Sequence, residues 1–167
     1  MIRAIYIVAE GQTEEEFVKS LIQPYFVSKY NFPNVIPSLI GRPGHQGGAV
    51  NFERYQNDIK RFLREKDVIV TSLIDFTSVK GFKYLGNLSD HQLSDIQTVI
   101  DEFDNPELIN EGDQTAPSKR LKAIIPGYQK VLYGNTIALE NGFQVVLDKC
   151  PRFNGWIKRL EEKVLGR

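Results

Sequence analysis

Two short apolar runs constrain the fold of this chain more than any other feature. The first covers Ile2 to Ala9 and the second covers Val68 to Ile74, and each has the length of a strand buried on both faces. Between them lie a helical pattern, a weaker strand candidate at Val35 to Ile40, and a second helical pattern at Asn51 to Lys66. This β-α-β-α-β order predicts right-handed crossovers and hence an α/β fold with a small parallel sheet.

Local signals predict how the first of these helices begins and ends. Thr13 can cap it, and the three acidic residues Glu14 to Glu16 would then fall in its first turn, where the helix dipole favours negative charge. Pro24 predicts a kink, and Asn31 to Pro33 predicts the end. In the second strand, Pro37 predicts an edge position because proline cannot donate to a sheet ladder.

The second half of the chain is predicted to be helical. Apolar spacing indicates a helix from Leu93 to Phe103, a short helix from Ser118 to Ile125 with Pro117 in its first turn, and a last helix from Phe153 to Val164. Only short segments are predicted between the last two. We expect an α/β core over residues 1–90 and a helical C-terminal part over residues 91–167, packed together as a single structural unit.

Composition excludes some functional classes. Lys plus Arg and Asp plus Glu both number 21, so overall charge does not direct the chain to nucleic acid or to a membrane, although a local basic patch remains possible. The single cysteine, Cys150, excludes an internal disulfide. No apolar run has the length of a membrane-spanning helix. We therefore expect a cytoplasmic protein without membrane association.

Both buried strand candidates end in a carboxylate. Glu10 follows the first run and Asp75 follows the second, and ligand sites in open α/β sheets gather at the carboxyl ends of the strands. A shared site requires local strand order two-one-three, since an intervening strand would separate the two carboxylates by about 10 Å. The alternative is structural, because acidic residues often cap helices or end strands.

Other residues could contact phosphates. The glycine-rich loop from Arg42 to Gly48, which includes His45, precedes a predicted helix and could cradle an anion or simply connect two elements. Lys119, Arg120 and Lys130 could contact a phosphate backbone or form a solvated helix face.

Several motifs resemble, in the same order, an uncharacterised bacterial family of TOPRIM-like domains. The resemblance begins with Glu10-Gly11-Gln12-Thr13-Glu14, and it ends with Cys150-Pro151, Phe153 and Trp156. Between them lie further matching segments: Gly44 to Gly48, Thr71 to Phe76, Asn105-Pro106-Glu107, Ala116 to Arg120, and Pro126-Gly127-Tyr128 with Lys130.

The resemblance implies a TOPRIM-like core that binds Mg²⁺ or Mn²⁺. It implies Glu10 as a metal ligand or general acid/base and Asp75 as a metal ligand. Glu14, one helical turn after Glu10, and Thr77, two residues after Asp75, could lie next to these ligands. Compensation of the helix dipole is the alternative role of Glu14. The chain departs from the pattern at two points. Thr77 stands where TOPRIM domains carry a second Asp, and a strand with a further acidic motif before Leu93 is missing.

Three functions follow as hypotheses. The first is a divalent-metal-dependent nuclease or phosphodiesterase that acts on nucleic acid, with a role in genome defence by analogy at the level of the fold. The second is a degenerate, non-catalytic module that binds nucleic acid or protein, which Thr77 and the missing strand favour. The third is a receiver-type phosphoacceptor at Asp75, although receivers carry two adjacent acids after strand one. The sequence does not indicate the oligomeric state.

Overall fold

The chain divides into two compact units. A computed structural model describes residues 1–40, 52–73, 88–103, 106–108 and 116–167. The first unit comprises Met1–Phe76 together with Lys158–Arg167, and the second comprises Thr77–Ile157.

The first unit contains a parallel sheet of three strands, β1 (Ala4–Ala9), β2 (Val35–Leu39) and β3 (Val68–Leu73). Their order is β2-β1-β3, and Ala9 pairs with Leu39 on one side and with Leu73 on the other. This confirms the predicted α/β class and the local strand order two-one-three. The carboxyl ends of all three strands therefore lie at one edge of the sheet.

Burial differs between the central and outer strands. β1 is buried almost throughout, because it has a strand on each side and helices above and below. β3 is only partly buried except at Leu73, so the prediction that it is buried on both faces was wrong. In the described residues β3 pairs with β1 alone, which leaves its other side less covered. Helix α3 (Phe52–Phe62) packs on one face of the sheet, where Phe62 joins Val8 and Ile40 in a core cluster.

The helix after β1 begins two residues earlier than a cap at Thr13 would place it. Gly11 is the N-cap residue of α1 (Gln12–Phe17), with extended backbone and no side-chain cap bond. Thr13 instead lies inside the first turn and is buried, so its predicted capping role was wrong. Gly11 is the last residue in the extended conformation, and the helix begins at Gln12. Of the three predicted acids, Glu14 and Glu15 occupy the first turn.

A π-helical turn, Val18–Ile22, joins α1 to α2 (Gln23–Tyr30). The N–H of Gln23 donates to the carbonyl of Val18, five residues back, and Pro24 follows with no N–H of its own. The helix therefore departs from regular α-helical geometry in a widened turn just before Pro24, and the kink at Pro24 stays a prediction. Three buried residues are spaced by four: Val18, Ile22 and Phe26. In a regular α-helix of 3.6 residues per turn, side chains at this spacing rotate progressively away from one face. The wider π-helical turn offsets this rotation, so all three stay on the core side.

The second strand has its proline on the outward side. Asn31 ends α2 in the left-handed conformation, with φ at 51°, and β2 follows. The Ile5 N–H donates to the Asn34 carbonyl at 2.8 Å, and the Ile40 N–H donates to the Ala9 carbonyl at 3.0 Å. The even-numbered residues of β2 therefore bond to β1, and Pro37 faces away from it. This confirms the predicted edge position.

The second unit is helical in the ranges that the structure describes. Its elements are α4 (Asp90–Asp101), a 3-10 turn (Pro106–Leu108), α5 (Pro117–Ile124), α6 (Lys130–Asn141), α7 (Phe143–Lys149) and the first half of α8 (Pro151–Val164). The helices at α4, α5 and α8 confirm the prediction. The prediction of short segments between α5 and α8 was wrong, since α6 and α7 lie there.

The core of this unit forms where α4, α5 and α6 meet. Its buried members are Ile96, Leu121, Ile125, Tyr128 and Ile137. Among the residues that the structure describes, no helix combines the length and the apolar character that crossing a membrane would require.

Candidate functional site

Glu10 lies where the carboxyl ends of the three strands meet. It directly follows β1, at the point where the chain turns into α1, and its side chain is half-buried. Ala9, the residue before it, pairs with Leu73 of the adjacent strand β3. Asp75 and Thr77, the other predicted residues of this edge, lie outside the described residues. The strand adjacency that a site shared by Glu10 and Asp75 requires is therefore present.

Glu14 is buried at the same edge. It occupies the third position of α1, counted from the N-cap Gly11, where a carboxylate can reach back toward the start of the helix. Its residue exposure is 3 %, and its Oε2 atom lies 3.2 Å from the position that a Cβ on Gly11 would occupy. The absence of a side chain on Gly11 is what permits this close approach.

The burial of Glu14 distinguishes it from its acidic neighbours. Glu15 is partly exposed and pairs with Lys19 at 2.6 Å, and Glu16 is exposed. Buried polar or charged side chains are few in the described part of the chain: Thr13, Glu14 and Asn135. An exposed carboxylate would already compensate the helix dipole, so dipole compensation alone does not explain a buried one.

The oxygen donors at this edge suit a hard cation. Mg²⁺ prefers oxygen ligands, and one or two carboxylates with several waters suffice. Within the ranges that the structure describes, no group of three His, Cys, Asp or Glu side chains could hold a metal ion. Glu10 thus offers one carboxylate, and any second ligand from the end of β3 belongs to the residues outside those ranges. Arg42 and His45 of the glycine-rich loop lie outside them as well.

The predicted basic contacts belong to the second unit. Lys119 is exposed on α5, and Lys130 begins α6. Arg120 forms an ion pair with Glu102, and its guanidinium lies 5.6 Å from the ring centroid of Phe103. Part of its charge is therefore already compensated within the unit. Its predicted contact with phosphate stays a prediction, as do those of Lys119 and Lys130.

Tyr128 is buried in the core of the second unit with an unsatisfied hydroxyl group. The residue is 5 % exposed, and the hydroxyl has no hydrogen-bond partner among the described residues. Burial raises the pKa of Tyr128 to about 12, because the charged phenolate would lose its hydration. The ring stacks on Tyr133 at a centroid distance of 5.5 Å.

Two polar arrangements escaped the sequence interpretation. The Glu107 carboxylate accepts hydrogen bonds from the backbone N–H groups of Arg152 and Phe153, at 3.1 and 2.9 Å, and so caps α8 from a distant segment. In the first unit, Glu161 accepts hydrogen bonds from Tyr25 at 2.6 Å and Lys29 at 2.9 Å. Both join residues far apart in sequence, for which periodicity gives no signal. The Gly11–Glu14 contact, in contrast, has the spacing of a capping box.

The chain matches one family model along most of its length. The model is described as Domain of unknown function (DUF4276), and it matches residues 9–83 and 76–161. These segments include Glu10 and Glu14 of the sheet edge and Glu107 of the second unit. No curated protein and no solved structure matches the chain. The chain belongs to the DUF4276 family.

Proposed function

We propose that this protein is a divalent-metal-dependent nuclease or phosphodiesterase of the TOPRIM-like type, with nucleic acid as its substrate. The observation that carries the proposal is the pairing of β1 with β3 in parallel, with Ala9 opposite Leu73. Glu10 directly follows β1, and Asp75 is two residues beyond Leu73 in the sequence. Two neighbouring parallel strands thus run toward the same edge, each with a carboxylate close after it in the chain.

The proposed metal ligands are the carboxylates of Glu10 and Asp75, with Mg²⁺ or Mn²⁺ as the cation. When bound, such an ion supplies charge neutralisation at a phosphate and lowers the pKa of a coordinated water. Glu10 is half-buried beside a helix start, which allows it to bind a cation or accept a proton. Glu14 lies against Gly11, in the turn that follows Glu10.

Cleavage by site variants tests the proposal. The purified chain is expected to cleave single- or double-stranded DNA or RNA in Mg²⁺ or Mn²⁺ and to stop doing so in EDTA. Glu10→Gln and Asp75→Asn should each lower the rate at least about a hundredfold, since each removes a charged ligand. Glu16→Gln, an exposed residue of the same first helix, is the matched control and should cleave normally. Unchanged cleavage by both site variants would exclude this site.

A non-catalytic binding module is the second candidate. Thr77 favours it, because a threonine replaces one of the two carboxylates that TOPRIM domains carry at the third strand. This candidate predicts salt-dependent association with nucleic acid and no turnover with any of the four substrates. A receiver-type phosphoacceptor, the third candidate, would instead take up phosphate at Asp75 from a small phosphodonor.

A further inference from the structure

A group of basic side chains lies at the amino ends of the strands, whereas Glu10 lies at their carboxyl ends. We name it the basic patch and define it by five residues: Arg3, Lys60, Arg61, Arg64 and Lys66. Arg3 immediately precedes β1, and the other four belong to the end of α3 or to the segment after it. Residues 60–67 contain two acidic residues, Glu65 and Asp67, so this segment together with Arg3 holds three positive charges in excess, whereas the whole chain is neutral.

Contacts between β1 and the end of α3 hold the patch together. Arg3 and Tyr6 both donate to the carboxylate of Glu65, with Tyr6 at 2.9 Å, and the Arg3 N–H donates to the Asp67 carbonyl at 2.7 Å. The ring of Phe62 stacks on Tyr6 at a centroid distance of 4.4 Å. The elements that carry the patch, β1 and the end of α3, are therefore packed against each other.

Within the described ranges, three of its charges have no ion-pair partner. Lys60, Arg64 and Lys66 are exposed, and none of them forms an ion pair with another residue in the described ranges. Lys60 and Arg64 are one helical turn apart, because the hydrogen bond from the Leu63 N–H to the Ile59 carbonyl continues the turn beyond α3. The helix dipole accounts for basic residues in the last turn of α3, but Arg64 and Lys66 lie after it.

The local aromatic rings indicate which part of a polyanion would be bound. Tyr6 and Phe62 face each other, and the guanidinium of Arg61 lies 4.8 Å from the Phe62 centroid. These rings contact one another, and Phe62 also contacts Arg61, so the interaction expected here is with phosphates and not with stacked bases. The remaining groups are lysine ammonium and arginine guanidinium groups, which bind phosphates without reading sequence.

We propose that the basic patch binds the phosphate backbone of nucleic acid. Arg3 and Glu10 flank opposite ends of the six-residue strand β1, so the patch lies about 20 Å from the proposed catalytic edge. Binding at the patch is separate from cleavage and does not require a metal ion. The partner is a nucleic acid of any sequence, held through its backbone.

Salt-dependent binding to a labelled 20-base-pair DNA duplex, measured by fluorescence anisotropy in EDTA, tests the proposal. The test variant carries Lys60→Gln, Arg64→Gln and Lys66→Gln. The matched control, Arg152→Gln with Lys158→Gln and Lys163→Gln, removes three exposed charges from α8. We expect the test variant to lose about tenfold or more in affinity and to reduce the slope of log K against log salt by about 2 to 3. The control should change the slope by less than about 1.

A charge-preserving variant separates charge from folding. Lys60→Arg with Lys66→Arg retains every positive charge and should bind as the parent chain does. Equal changes in the test and control variants, or no association of the parent chain at about 50 mM salt, would overturn the proposal. Because EDTA prevents metal-dependent turnover, failure of the nuclease hypothesis leaves this result unaffected, and the two proposals can fail separately.

Discussion

At the scale of single residues, the close contact between Gly11 and Glu14 is the feature of the candidate site that invites substitution. Gly11 has extended backbone, with φ at −147° and ψ at −179°, so its conformation is open to any residue. What a side chain would change is the space in front of the Glu14 carboxylate. A substitution at Gly11 therefore tests that space without imposing backbone strain.

Gly11→Ala is expected to weaken Mn²⁺ binding about tenfold, because the new Cβ displaces a carboxylate beside the proposed ligand Glu10. The dissociation constant can be measured by electron paramagnetic resonance of free Mn²⁺. Gly11→Ser adds the same Cβ but supplies a favourable capping hydroxyl, so it should weaken binding as much while costing less stability. If Gly11→Ser bound Mn²⁺ as well as the parent chain, the contact would have no role in metal binding.

Tyr128→Phe is expected to leave the second unit as stable as before or to stabilise it by up to about 1 kcal/mol. The substitution removes a buried hydroxyl that lacks a partner in the described part of the chain and retains the packed ring. Tyr55→Phe is the comparison, because the Tyr55 hydroxyl donates to Ser72 at 3.1 Å, and its loss should cost about 1 kcal/mol. Thermal unfolding measures both. A destabilisation of Tyr128→Phe equal to that of Tyr55→Phe would reveal a hydroxyl partner.

At the scale of secondary structure, the sequence predicted those elements whose signals are local. β1 and β3 are apolar runs of strand length, and α5 begins at Pro117, which is preorganised for a first turn. The strand order two-one-three was predicted as the condition for a site shared by Glu10 and Asp75, because right-handed crossovers alone are compatible with other orders. The helix was predicted to start at Thr13, but Gly11 is its N-cap residue. A glycine can either end a strand or cap a helix, so the sequence did not distinguish these two roles.

Helix α6 was not predicted, and it shows which information local sequence signals lack. It contains Gly134 and the β-branched residues Val131, Thr136 and Ile137, which have modest helix propensity. Its apolar residues lie on both sides: Ile137 is buried, whereas Leu132 and Leu139 are exposed, so no single apolar stripe marks it. Packing against the core of the second unit stabilises it, and that packing depends on residues distant in sequence.

Removing the cap on α8 should destabilise the chain. Glu107→Ala leaves the N–H groups of Arg152 and Phe153 without the acceptors that they have now, and we expect a cost of about 1–2 kcal/mol in the free energy of unfolding. Glu107→Gln retains one acceptor oxygen without the charge and should cost less. Glu162→Gln, exposed near the other end of α8, is the control. Equal stability of all three variants in urea unfolding would contradict the capping role.

At the scale of the whole molecule, the first unit is closed by the last residues of the chain. Lys158–Arg167 belong to the same unit as β1. In this segment, Glu161 accepts hydrogen bonds from Tyr25 and Lys29 of α2. Burial alone would raise the pKa of Glu161, but hydrogen bonds from Tyr25 and Lys29 outweigh it, so the pKa lies below its usual value. The pKa of Lys29 is raised, chiefly by its hydrogen bond to Tyr25.

The sign of the Glu161 shift predicts a pH dependence. A lowered pKa in the folded state means that the charged carboxylate stabilises the fold above its unfolded pKa, near 4.5, and that this stabilisation is lost as the pH falls through the folded value. Glu161→Gln should therefore cost about 1–2 kcal/mol at pH 7, and this difference from the parent chain should shrink below about pH 4.5.

Denaturant unfolding between pH 3 and pH 8 measures this difference. Glu162→Gln, the exposed neighbour, should follow the parent chain at every pH. A difference for Glu161→Gln that stayed constant down to pH 3 would mean that the contact stabilises through its shape and not through its charge.

Pro37 limits how this molecule can aggregate. Since its nitrogen points away from β1 and carries no hydrogen, a foreign strand that approached β2 would meet a missing donor at the middle of the strand. Growth into extended, amyloid-like sheets from the β2 side is thereby penalised at its first step. A protein whose edge strand lacked such a proline would need another protective feature, such as a charged residue or a β-bulge in that strand, to avoid aggregation at high concentration.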